Sequence, residues 1–496
     1  MFALLLSGDV GYPYSSSPRS ADGKERDYLR SMTNRTILLS ACMAITLPAS
    51  ATQWQVGSGQ TYTTPSQVST LVGNGDTVNI AAGVYPSDVA RWQANDLLLR
   101  GVGGMAHLES NGMAWGGKAI WVIQGDRTRV EWIEFSECSV PDNNGAGIRQ
   151  EGHRLTVLHC YFHDNENGIL AGDVNPSTIR IEHSEFDHNG YGDGFSHNLY
   201  INHVDSLIFR YNYSHHAHVG HELKSRAHVN VIEYNRFSNE ATGDASREID
   251  LPNGGTAYLI GNVVQQGPQG QNSNMVGYGL EGLTNITPHE LYAINNTLVN
   301  EKTVGSFFSV ASAAYIKAYS NILAGGGNFM VGAWPTSIDT LANLRSTIAA
   351  VQFDSPAVYD YHITTSSPAH QFGFPAGIAS SGYPLVAWEE YVHPVSNITR
   401  CMHATLDAGA FGTCTTGIAP DRSATRITVW PDPAREVVYV ADVVPTALVR
   451  VYGPTGQLVT VPFTQQGERM ELRTAALPSG LYFLRIDERS FPFVIE

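Results

Sequence analysis

The chain has 496 residues, of which only 15% are charged, and it contains 48 glycines. Its formal net charge of -16 argues against nucleic acid as a partner, because phosphate binding needs a basic surface and no run of Lys and Arg is present. An acidic polymer remains open as a partner, since a local cationic pocket can form on an acidic protein. The length allows two or three ordinary domains or one long repeat domain with an appendage, and the composition favours an all-β fold.

Residues 32–51 have the features of a secretory signal peptide. Arg35 supplies positive charge, and residues 37–47 form a short apolar core that precedes an Ala-Ser-Ala cleavage site. The apolar core is too short to span a bilayer. Residues 1–31 fit poorly ahead of such a signal, so we expect Met32 to be the true start and the preceding residues to be untranslated or disordered. The sequence therefore predicts an exported protein.

Export places the remaining cysteines in an oxidising compartment, where an even number favours disulfides. Four cysteines follow the signal, namely Cys138, Cys160, Cys401 and Cys414. We predict a short disulfide loop between Cys401 and Cys414. Cys138 and Cys160 either bridge neighbouring repeats or serve as small buried apolar residues.

One pattern recurs along the middle of the chain: an apolar run, a small polar residue, and then an aromatic or aliphatic anchor. Subtraction of successive positions gives spacings of 27, 24, 28, 23, 27, 34 and 25 residues between the anchors, which are Phe135, Phe162, Phe186, Ser214, Phe237, Val264, Leu298 and Leu323. A period of roughly 20 to 50 residues indicates a solenoid or a propeller, and two or three strands per repeat favour a parallel β-solenoid. Asparagines such as Asn296 are expected to form side-chain ladders at its turns.

These repeats resemble the right-handed parallel β-helix of the pectate-lyase-like superfamily. Residues 61–85, where Gly-Asp-Thr leads a strand that ends in Gly-x-Tyr, resemble its opening coil, and residues 361–373 and 407–412 resemble its closing segments. The resemblance covers residues 52–415 and implies a β-helix domain there. It implies little about function, because this fold carries lyases, hydrolases, epimerases and adhesins.

In a parallel solenoid, equivalent strands of successive coils lie about 4.8 Å apart and alternate residues face outward. The second strand of each coil aligns on the apolar inward residues Ile148, Ile169, Leu199, Leu223, Ile249 and Val276. The residues just before them are Gly147, Gly168, Asn198, Glu222, Glu248 and Met275, and the residues just after them are Arg149, Leu170, Tyr200, Lys224, Asp250 and Gly277. Three consecutive coils are therefore predicted to project polar side chains from one face as a local patch.

A solvated strand face with weak ion pairs is the plainer interpretation of this patch, since an exposed pair contributes only about 0–1 kcal/mol. Against it, a chain poor in charge concentrates charge here together with several histidines. We therefore predict a functional site whose substrate contacts are His197, His218, His221, Asp250 and Asn253. The histidine run at 214–221 contains no Cys and no compact His-x₃-His spacing, so zinc is disfavoured there.

The stretch from Glu222 to Phe237 resembles the central coil of the chondroitinase B and alginate lyase family, in which a glutamate and a Lys-Ser pair precede an Asn-x-Phe repeat. The resemblance implies that Asn198, Glu222 and Glu248 hold a calcium ion that neutralises a uronate carboxylate. Hard oxygen ligands of this kind suit Ca²⁺. The resemblance also implies that Lys224 removes the C5 proton of the sugar and that an arginine assists.

The chain departs from that family at one point. The family's arginine lies in a Leu-Arg-His-Gly stretch on the next coil, where this chain has Leu-Pro-Asn-Gly at 251–254. Arg247 or Arg226 is the expected substitute, and Tyr200 is the expected acid. These assignments predict a monomeric polysaccharide lyase that cleaves a uronate polymer by β-elimination.

Two other functions fit the same residues. A glycoside hydrolase would use two of Glu222, Glu248 and Asp250, because side chains on adjacent coils can reach the separation of roughly 5–9 Å that paired carboxylates require. A non-catalytic surface protein would bind glycan along the solenoid without turnover. Release of an unsaturated, ultraviolet-absorbing uronate distinguishes elimination from both alternatives.

The composition changes after a predicted linker at 416–424. Residues 425–496 contain apolar strands separated by Pro-Asp-Pro, Pro-Thr-Gly and Pro-Ser-Gly turns. This region resembles the C-terminal sorting domain of the type IX secretion system, a small β-sandwich that outer-membrane secretion machinery recognises. The alternative is a carbohydrate-binding sandwich, but no exposed aromatic row is evident. Both interpretations predict a secreted or cell-surface protein.

Overall fold

The computed structural model describes residues 51–331, 337–413, 428–430, 434–441, 449–453, 457–466, 469–486 and 489–495. Almost all of the predicted signal peptide and all of the predicted linker lie outside these residues. Ala51–Glu496 forms one compact unit. In the described segments, no helix has both the length and the apolar character that a membrane span needs.

Strands of three to five residues dominate the first part of this unit, as expected for a chain rich in β-branched residues and turn-forming glycines and asparagines. One 3₁₀ turn, Pro65–Gln67, accompanies them. In chain order the strands are β1 (Gln53–Val56), β2 (Thr77–Val84), β3 (Ala90–Trp92), β4 (Leu98–Glu109), β5 (Ala119–Ile123), β6 (Thr128–Glu131), β7 (Ile133–Ser136), β8 (Ala146–Gln150), β9 (Leu155–Leu158), β10 (Tyr161–His163), β11 (Asn167–Ala171), β12 (Thr178–Glu182), β13 (Glu185–Asp187), β14 (Leu199–Ile201), β15 (Ser206–Arg210), β16 (Tyr213–His215), β17 (Leu223–Ser225), β18 (Val229–Glu233), β19 (Arg236–Ser238), β20 (Ile249–Leu251), β21 (Thr256–Ile260), β22 (Val263–Gln266), β23 (Asn274–Tyr278), β24 (Glu290–Ile294), β25 (Thr297–Asn300), β26 (Ser306–Val310), β27 (Tyr315–Tyr319), β28 (Ile322–Gly325), β29 (Asn328–Val331), β30 (Ser337–Leu341) and β31 (Leu344–Ser346).

These strands form a parallel solenoid in which a typical coil contributes one strand to each of three faces. Face one is the ten-stranded sheet of β3, β5, β8, β11, β14, β17, β20, β23, β26 and β29. The first half of β4 pairs with β6 and its second half pairs with β7, so the other two faces both start from β4. Face two runs through β6, β9, β12, β15, β18, β21, β24, β27 and β30, and face three runs through β7, β10, β13, β16, β19, β22, β25, β28 and β31. The predicted all-β solenoid is confirmed.

The predicted anchors of the repeat stack on one another in face three. Phe162 pairs with Phe135 on one side and Phe186 on the other, and the alignment continues through Ser214 to Leu323. The three phenylalanine rings stack with centroids 4.9 Å apart at each step. Full burial of such a side chain contributes about 1.5–3 kcal/mol, so the anchors hold successive coils in register.

A ladder of asparagines lies at the turn between faces two and three, as predicted. After the first member, each side-chain oxygen accepts from the backbone and side-chain N–H groups of the asparagine one coil earlier, at 2.8–3.2 Å. The oxygen of the first member, Asn212, accepts from the Ser184 backbone N–H. The members are Asn212, Asn235, Asn262, Asn296, Asn321 and Asn343. An unpaired buried amide would cost about 1–3 kcal/mol, and the ladder avoids this cost at every coil.

The cysteines divide as the sequence suggested. Cys138 and Cys160 are free and buried, so of the two alternatives considered for them the apolar one is found. Burial raises the pKa of each thiol to about 12. Cys401 is disulfide-bonded, and its predicted partner Cys414 lies outside the described residues.

The parallel coils end with β31, and the following chain covers two faces from outside. Its elements are α1 (Ile348–Val351), β32 (Phe353–Ser355), a 3₁₀ turn (Pro356–Val358), β33 (Asp360–Ile363), β34 (Glu389–Val392) and β35 (Ser396–Thr399). Tyr383 and Leu385 pack on outward side chains of face two such as Tyr258. The predicted closing segments 361–373 and 407–412 pack instead on the last coils of face three.

Two antiparallel four-stranded sheets follow, and together they form the predicted C-terminal β-sandwich. Their strands are β36 (Thr428–Trp430), β37 (Val437–Ala441), β38 (Val449–Tyr452), β39 (Leu458–Val459), β40 (Phe463–Gln466), β41 (Arg469–Arg473), β42 (Gly480–Ile486) and β43 (Arg489–Ile495). Val438, Leu472 and Leu484 belong to the shared core between the sheets. Phe483 of β42 also joins the apolar cluster on face two, where its ring contacts Tyr383.

Candidate active site

The central strands of face one present a continuous outward column of polar side chains. Tyr200 pairs in register with Lys224, and Lys224 pairs with Asp250. The column ends in Gly277 on the next coil. Strand alternation holds within these strands because Leu199, Leu223 and Ile249, which point inward, are fully buried. The predicted column is therefore confirmed, and it is local to three coils.

Lys224 and Asp250 form the centre of this column. The Lys224 Nζ lies 3.5 Å from Asp250 Oδ2, and Arg247 Nη1 lies 3.2 Å from Asp250 Oδ1. The Asp250 side chain is only 2% exposed. Burial raises its pKa, and the adjacent Arg247 and Lys224 offset that effect only in part. A buried carboxyl group thus sits between two cations at the floor of the site.

A second carboxylate, from Glu281, bridges the two most central cations. Its Oε1 lies 2.7 Å from Lys224 Nζ, and its Oε2 lies 2.5 Å from Arg226 Nη2. Burial alone would raise the pKa of Glu281, but the hydrogen bonds from Lys224 and Arg226 outweigh it and lower the pKa to about 2. The Glu281 side chain is nearly half exposed, so this carboxylate is the solvent-facing member of the site.

Sequence reasoning missed Glu281. The residue lies after β23, in the segment 279–289 that connects face one to β24. One cue was present, because the coil between Val264 and Leu298 is the longest, with 34 residues between its anchors. Extra residues in a coil must form a longer loop, and functional side chains often lie on such loops.

Two further groups hold the Arg226 guanidinium. Its Nε donates to the Tyr200 hydroxyl at 2.9 Å, and its Nη1 donates to Asn253 Oδ1 at 2.5 Å. Asn253 in turn donates from Nδ2 to the Thr284 hydroxyl at 2.8 Å. The structure therefore brings together the predicted Tyr200, Arg226 and Asn253. Fixed hydrogen bonds of this kind orient a guanidinium toward a planar anion.

His197 and His221 form a stacked pair beside Asp250, with ring centroids 4.8 Å apart. The Nδ1 of His197 accepts from the His221 backbone N–H, and the Nδ1 of His221 accepts from the Arg247 backbone N–H. Burial, followed by the charges of Lys224 and Arg247, lowers the pKa of His221 to about 3. Burial also lowers the pKa of His197 well below its usual range. Because each Nδ1 accepts a backbone hydrogen bond, the neutral rings carry their protons on Nε2.

Those Nε2–H groups are suited to donate to a polar ligand. The Nε2 of His221 lies 3.6 Å from Asp250 Oδ2, which is too long for a hydrogen bond. His218, the third predicted histidine, is exposed and pairs with Asp244 at 3.1 Å. In the described part of the chain, no hydrogen bond or ion pair joins His218 to Lys224.

The predicted calcium ligands lie inside the solenoid. The prediction that they project from face one, into a substrate groove around Lys224, is therefore wrong. Asn198, Glu222 and Glu248 all have 0% exposure. Strands β14, β17 and β20 begin one residue after them. The residue before each strand still belongs to the corner between faces three and one, where the alternation of a strand does not apply and the side chain turns inward.

Glu222 is fully engaged at this corner. Its Oε1 accepts from the Ala217 backbone N–H at 3.0 Å, and its Oε2 accepts from Ser214 Oγ at 3.0 Å and Asn198 Nδ2 at 2.6 Å. Burial raises the pKa of Glu222 to about 8 and raises that of Glu248 well above its usual range. Because all three side chains are enclosed and Glu222 is held by three hydrogen bonds, these residues do not fit a calcium ion that contacts substrate on the outer surface of face one.

Comparisons with known proteins agree with this architecture. Residues 97–264 match the family described as right handed beta helix region, and residues 428–493 match the secretion system C-terminal sorting domain. The chain is similar to the crystal structure of pectate lyase Pel9A, with 13% identity, a TM-score of 0.50, and coverage of 73% of this chain and 96% of that chain. No curated protein matches the chain.

At this identity the similarity concerns the fold alone. The two family matches confirm the predicted β-helix region and sorting domain. Such a sorting domain marks proteins that the type IX system exports, so the protein is secreted or attached to the cell surface.

Proposed function

We propose that the protein is a polysaccharide lyase that cleaves a uronate-containing polymer by β-elimination on face one. One observation carries this proposal: the carboxylate of Glu281 is gripped by Lys224 and Arg226 together, at 2.7 and 2.5 Å. The two cations therefore bind one planar carboxylate between them. A uronate carboxylate is the same chemical group, and the shared fold with a pectate lyase supports the same class of reaction.

Each residue of the site has a distinct role in this scheme. The substrate carboxylate takes the place of the Glu281 carboxylate on Arg226, which Tyr200 and Asn253 hold in position. Lys224 accepts the C5 proton of the sugar. Arg226 stabilises the negative charge that develops on the carboxylate as that proton leaves, which is the main barrier to removing a weakly acidic proton.

In the elimination, the electron pair of the C5–H bond forms the C4–C5 double bond, and the bond between C4 and the glycosidic oxygen breaks. The Tyr200 hydroxyl gives its proton to the leaving oxygen. The products are one chain with a new reducing end, whose anomeric hydroxyl carries the proton from Tyr200, and a second chain with an unsaturated uronate at its new non-reducing end.

The position of Lys224 supports its use as a base, because its amine lies on the outer surface of face one beside Arg226. In the structure this amine also contacts two carboxylates, those of Glu281 and Asp250. Displacement of Glu281 by substrate removes one of these carboxylates from the amine. Arg247 contacts Asp250, which in turn contacts Lys224, so Arg247 is a positioning residue that acts through Asp250.

Two neutral histidines contribute to substrate binding in this scheme, and the predicted calcium ligands take no part in it. His197 and His221 present Nε2–H groups beside the cations, where they donate to sugar hydroxyls. Because Asn198, Glu222 and Glu248 are enclosed, no step is assigned to calcium.

A screen of polymers tests the proposal. Alginate, pectate, glycosaminoglycans and glucuronan are incubated with the full chain, and the ultraviolet absorbance of the unsaturated uronate is followed alongside reducing ends. We expect one polymer to give equal amounts of both. Reducing ends without ultraviolet absorbance would contradict elimination, and binding without any new ends would indicate a glycan-binding surface protein.

A second function, glycoside hydrolysis, is favoured by one observation. The predicted pair with Glu222 or Glu248 is wrong, since both are enclosed, but Asp250 and Glu281 both contact Lys224 Nζ. Their pKa values are pushed apart, with that of Asp250 raised and that of Glu281 lowered to about 2. Such a pair matches an acid and a carboxylate base or nucleophile. The screen separates this function from elimination.

A further inference from the structure

We propose that His107, Glu134 and His163 form a binding site for a divalent transition-metal ion, best suited to Zn²⁺, on the outside of face three. These residues lie on three successive coils, in β4, β7 and β10. His107 is the register partner of Glu134, and Tyr161 is the register partner of Glu134 on the other side. His163 lies two residues beyond Tyr161, on the same outward side of its strand.

Three ligand atoms converge at this point. One ring nitrogen of His107, one oxygen of Glu134 and one ring nitrogen of His163 all lie within 4.8 Å of one another. Glu134 Oε1 is 3.7 Å from His107 Nδ1 and 3.1 Å from His163 Nε2. Ligand atoms at bonds of about 2.0–2.2 Å to a tetrahedral ion lie about 3.4 Å apart. The observed separations fall on either side of that value.

The opposite edge of each ring supports the same conclusion. His163 Nδ1 lies 2.8 Å from Asp164 Oδ2, and His107 Nε2 lies 2.7 Å from Ser136 Oγ. If each of these nitrogens donates its proton outward, the lone pair of the other nitrogen faces Glu134. A histidine that binds a metal through one nitrogen almost always donates from the other to a carboxylate or another oxygen. The site therefore has both its ligands and the partners that orient them.

Two histidines and one glutamate form a ligand set that catalytic zinc sites use, with the fourth position left for water or a ligand. The three side chains are between 18% and 25% exposed, so an ion can reach them from solvent. The site lies on face three, whereas Lys224 and its neighbours lie on face one. The inference is therefore independent of the proposed lyase activity.

A simpler arrangement accounts for part of the geometry. A protonated His163 between Glu134 and Asp164 would form two ion pairs without any metal. That arrangement gives no reason for His107 to direct its Nδ1 at the same glutamate oxygen. A shared cation explains both histidines at once.

A second group on the same face, formed by Asp187, His215 and His216, serves as a control. Its two Nδ1 atoms are 2.8 Å apart, which fits a hydrogen bond better than two ligands of one ion. We therefore assign the ion to the first group. His216→Gln removes a histidine of similar exposure from the same face and leaves His107, Glu134 and His163 intact.

The test is a titration of the chelator-treated full chain with ZnCl₂, followed by calorimetry and by metal analysis after dialysis. We expect the parent to bind at least one equivalent with micromolar or tighter affinity. His163→Gln and Glu134→Gln are each expected to lose one equivalent or to weaken its binding by about 100-fold. CoCl₂ should give the visible absorption of a tetrahedral site in the parent and lose it in both variants.

Thermal unfolding adds a readout that does not depend on stoichiometry. Zinc binds only the folded chain, so it should raise the melting temperature of the parent by a few degrees and leave that of His163→Gln unchanged. The proposal is overturned if His163→Gln and Glu134→Gln bind as much zinc as the parent, whatever His216→Gln does. It is equally overturned if the parent binds no zinc.

Discussion

Carboxyl groups in two neighbouring regions of the solenoid have opposite pKa shifts: the pKa of Glu222 at the inner corner is raised, and that of Glu281 on the outside of face one is lowered. Glu222, at the inner corner, and Lys224, on the outer surface of face one, are two residues apart, yet one is fully enclosed and the other faces the groove. Burial raises the pKa of Glu222 to about 8, whereas the cations of the groove lower that of Glu281 to about 2. Burial and neighbouring charges, and not residue type, set the direction of the pKa shift of each carboxyl group.

The difference separates structural from chemical roles. Inside, Glu222 continues a row of hydrogen bonds that passes through Asn189 and Asn198 and joins successive coils. Outside, Glu281, Lys224 and Arg226 form ion pairs that a ligand can displace. Substitutions at the inner corner should therefore change stability, and substitutions in the groove should change activity. Four experiments test this division.

The largest effect is expected for Lys224→Gln, the removal of the proposed base. Catalysis by a positioned base contributes about 10²- to 10⁴-fold, so kcat on the responsive polymer should fall by that factor while the melting temperature stays near that of the parent. Lys317→Gln is a matched control, because Lys317 is similarly covered and paired with an aspartate on face two. An equal loss of activity in both variants would contradict the role of Lys224.

The next effect concerns the inner corner. Glu222→Ala leaves the Ala217 N–H, the Ser214 hydroxyl and the Asn198 amide without their acceptor and opens a cavity. We expect a loss of about 3–5 kcal/mol in the free energy of unfolding, measured by chemical denaturation. Glu222→Gln fills the same space and keeps one acceptor, so it should lose less. Wild-type stability of the alanine variant would show that the corner is not closed as described.

The raised pKa of Glu222 also predicts how stability depends on pH. Between pH 4.5 and about 8 the folded state keeps this proton and the unfolded state does not, so the free energy of unfolding falls as pH rises. One such group contributes a slope of about 1.4 kcal/mol per pH unit. His221, with its lowered pKa, gives the opposite slope below about pH 6.5, since its unfolded state binds the extra proton.

Between pH 6.5 and 8, the carboxyl groups with raised pKa values therefore dominate the pH dependence of the free energy of unfolding. In this window the free energy of unfolding of the parent, measured by chemical denaturation, should fall as pH rises. The slope should be smaller by about 1 kcal/mol per pH unit in Glu222→Gln. Glu248, whose pKa is also raised, maintains part of the slope in both proteins. Parallel pH profiles for the two proteins would mean that Glu222 is charged when folded.

The smallest effect is expected for Glu281→Gln. If Glu281 only occupies the place of the substrate carboxylate, its neutral form should bind Lys224 and Arg226 less well and lower KM by about 2- to 10-fold. The hydrolase alternative makes Glu281 a catalytic group, for which kcat should fall by about 100-fold or more. Initial rates over a range of polymer concentrations distinguish the two results.

The sequence predicted the fold closely because two of its patterns are local and periodic. The anchors from Phe135 to Leu323 recur wherever a side chain must fill the same layer, and the asparagines recur wherever the same turn must be satisfied. The outward column of Tyr200, Lys224 and Asp250 followed from strand alternation, which holds within short strands. These features require only the register of one coil on the next.

The remaining site features depend on geometry that no local pattern records. The alternation of inward and outward side chains does not extend to the corners between faces. For that reason the sequence placed Asn198, Glu222 and Glu248 on the outer side of face one, whereas they lie inside the solenoid. Glu281 reaches the groove from a loop whose path the sequence does not specify. The metal-binding group on face three draws its ligands from three separate coils, and only the stacked structure places them together.

The long coil that carries Glu281 has a practical consequence. Strands β23 and β24 keep their parallel register with the coils before and after, even though eleven residues, 279–289, intervene between them. A solenoid wall therefore tolerates a change of loop at this corner without a change of core. Exchanging this segment for loops of other length or charge offers a route to altered polymer preference on an unchanged scaffold.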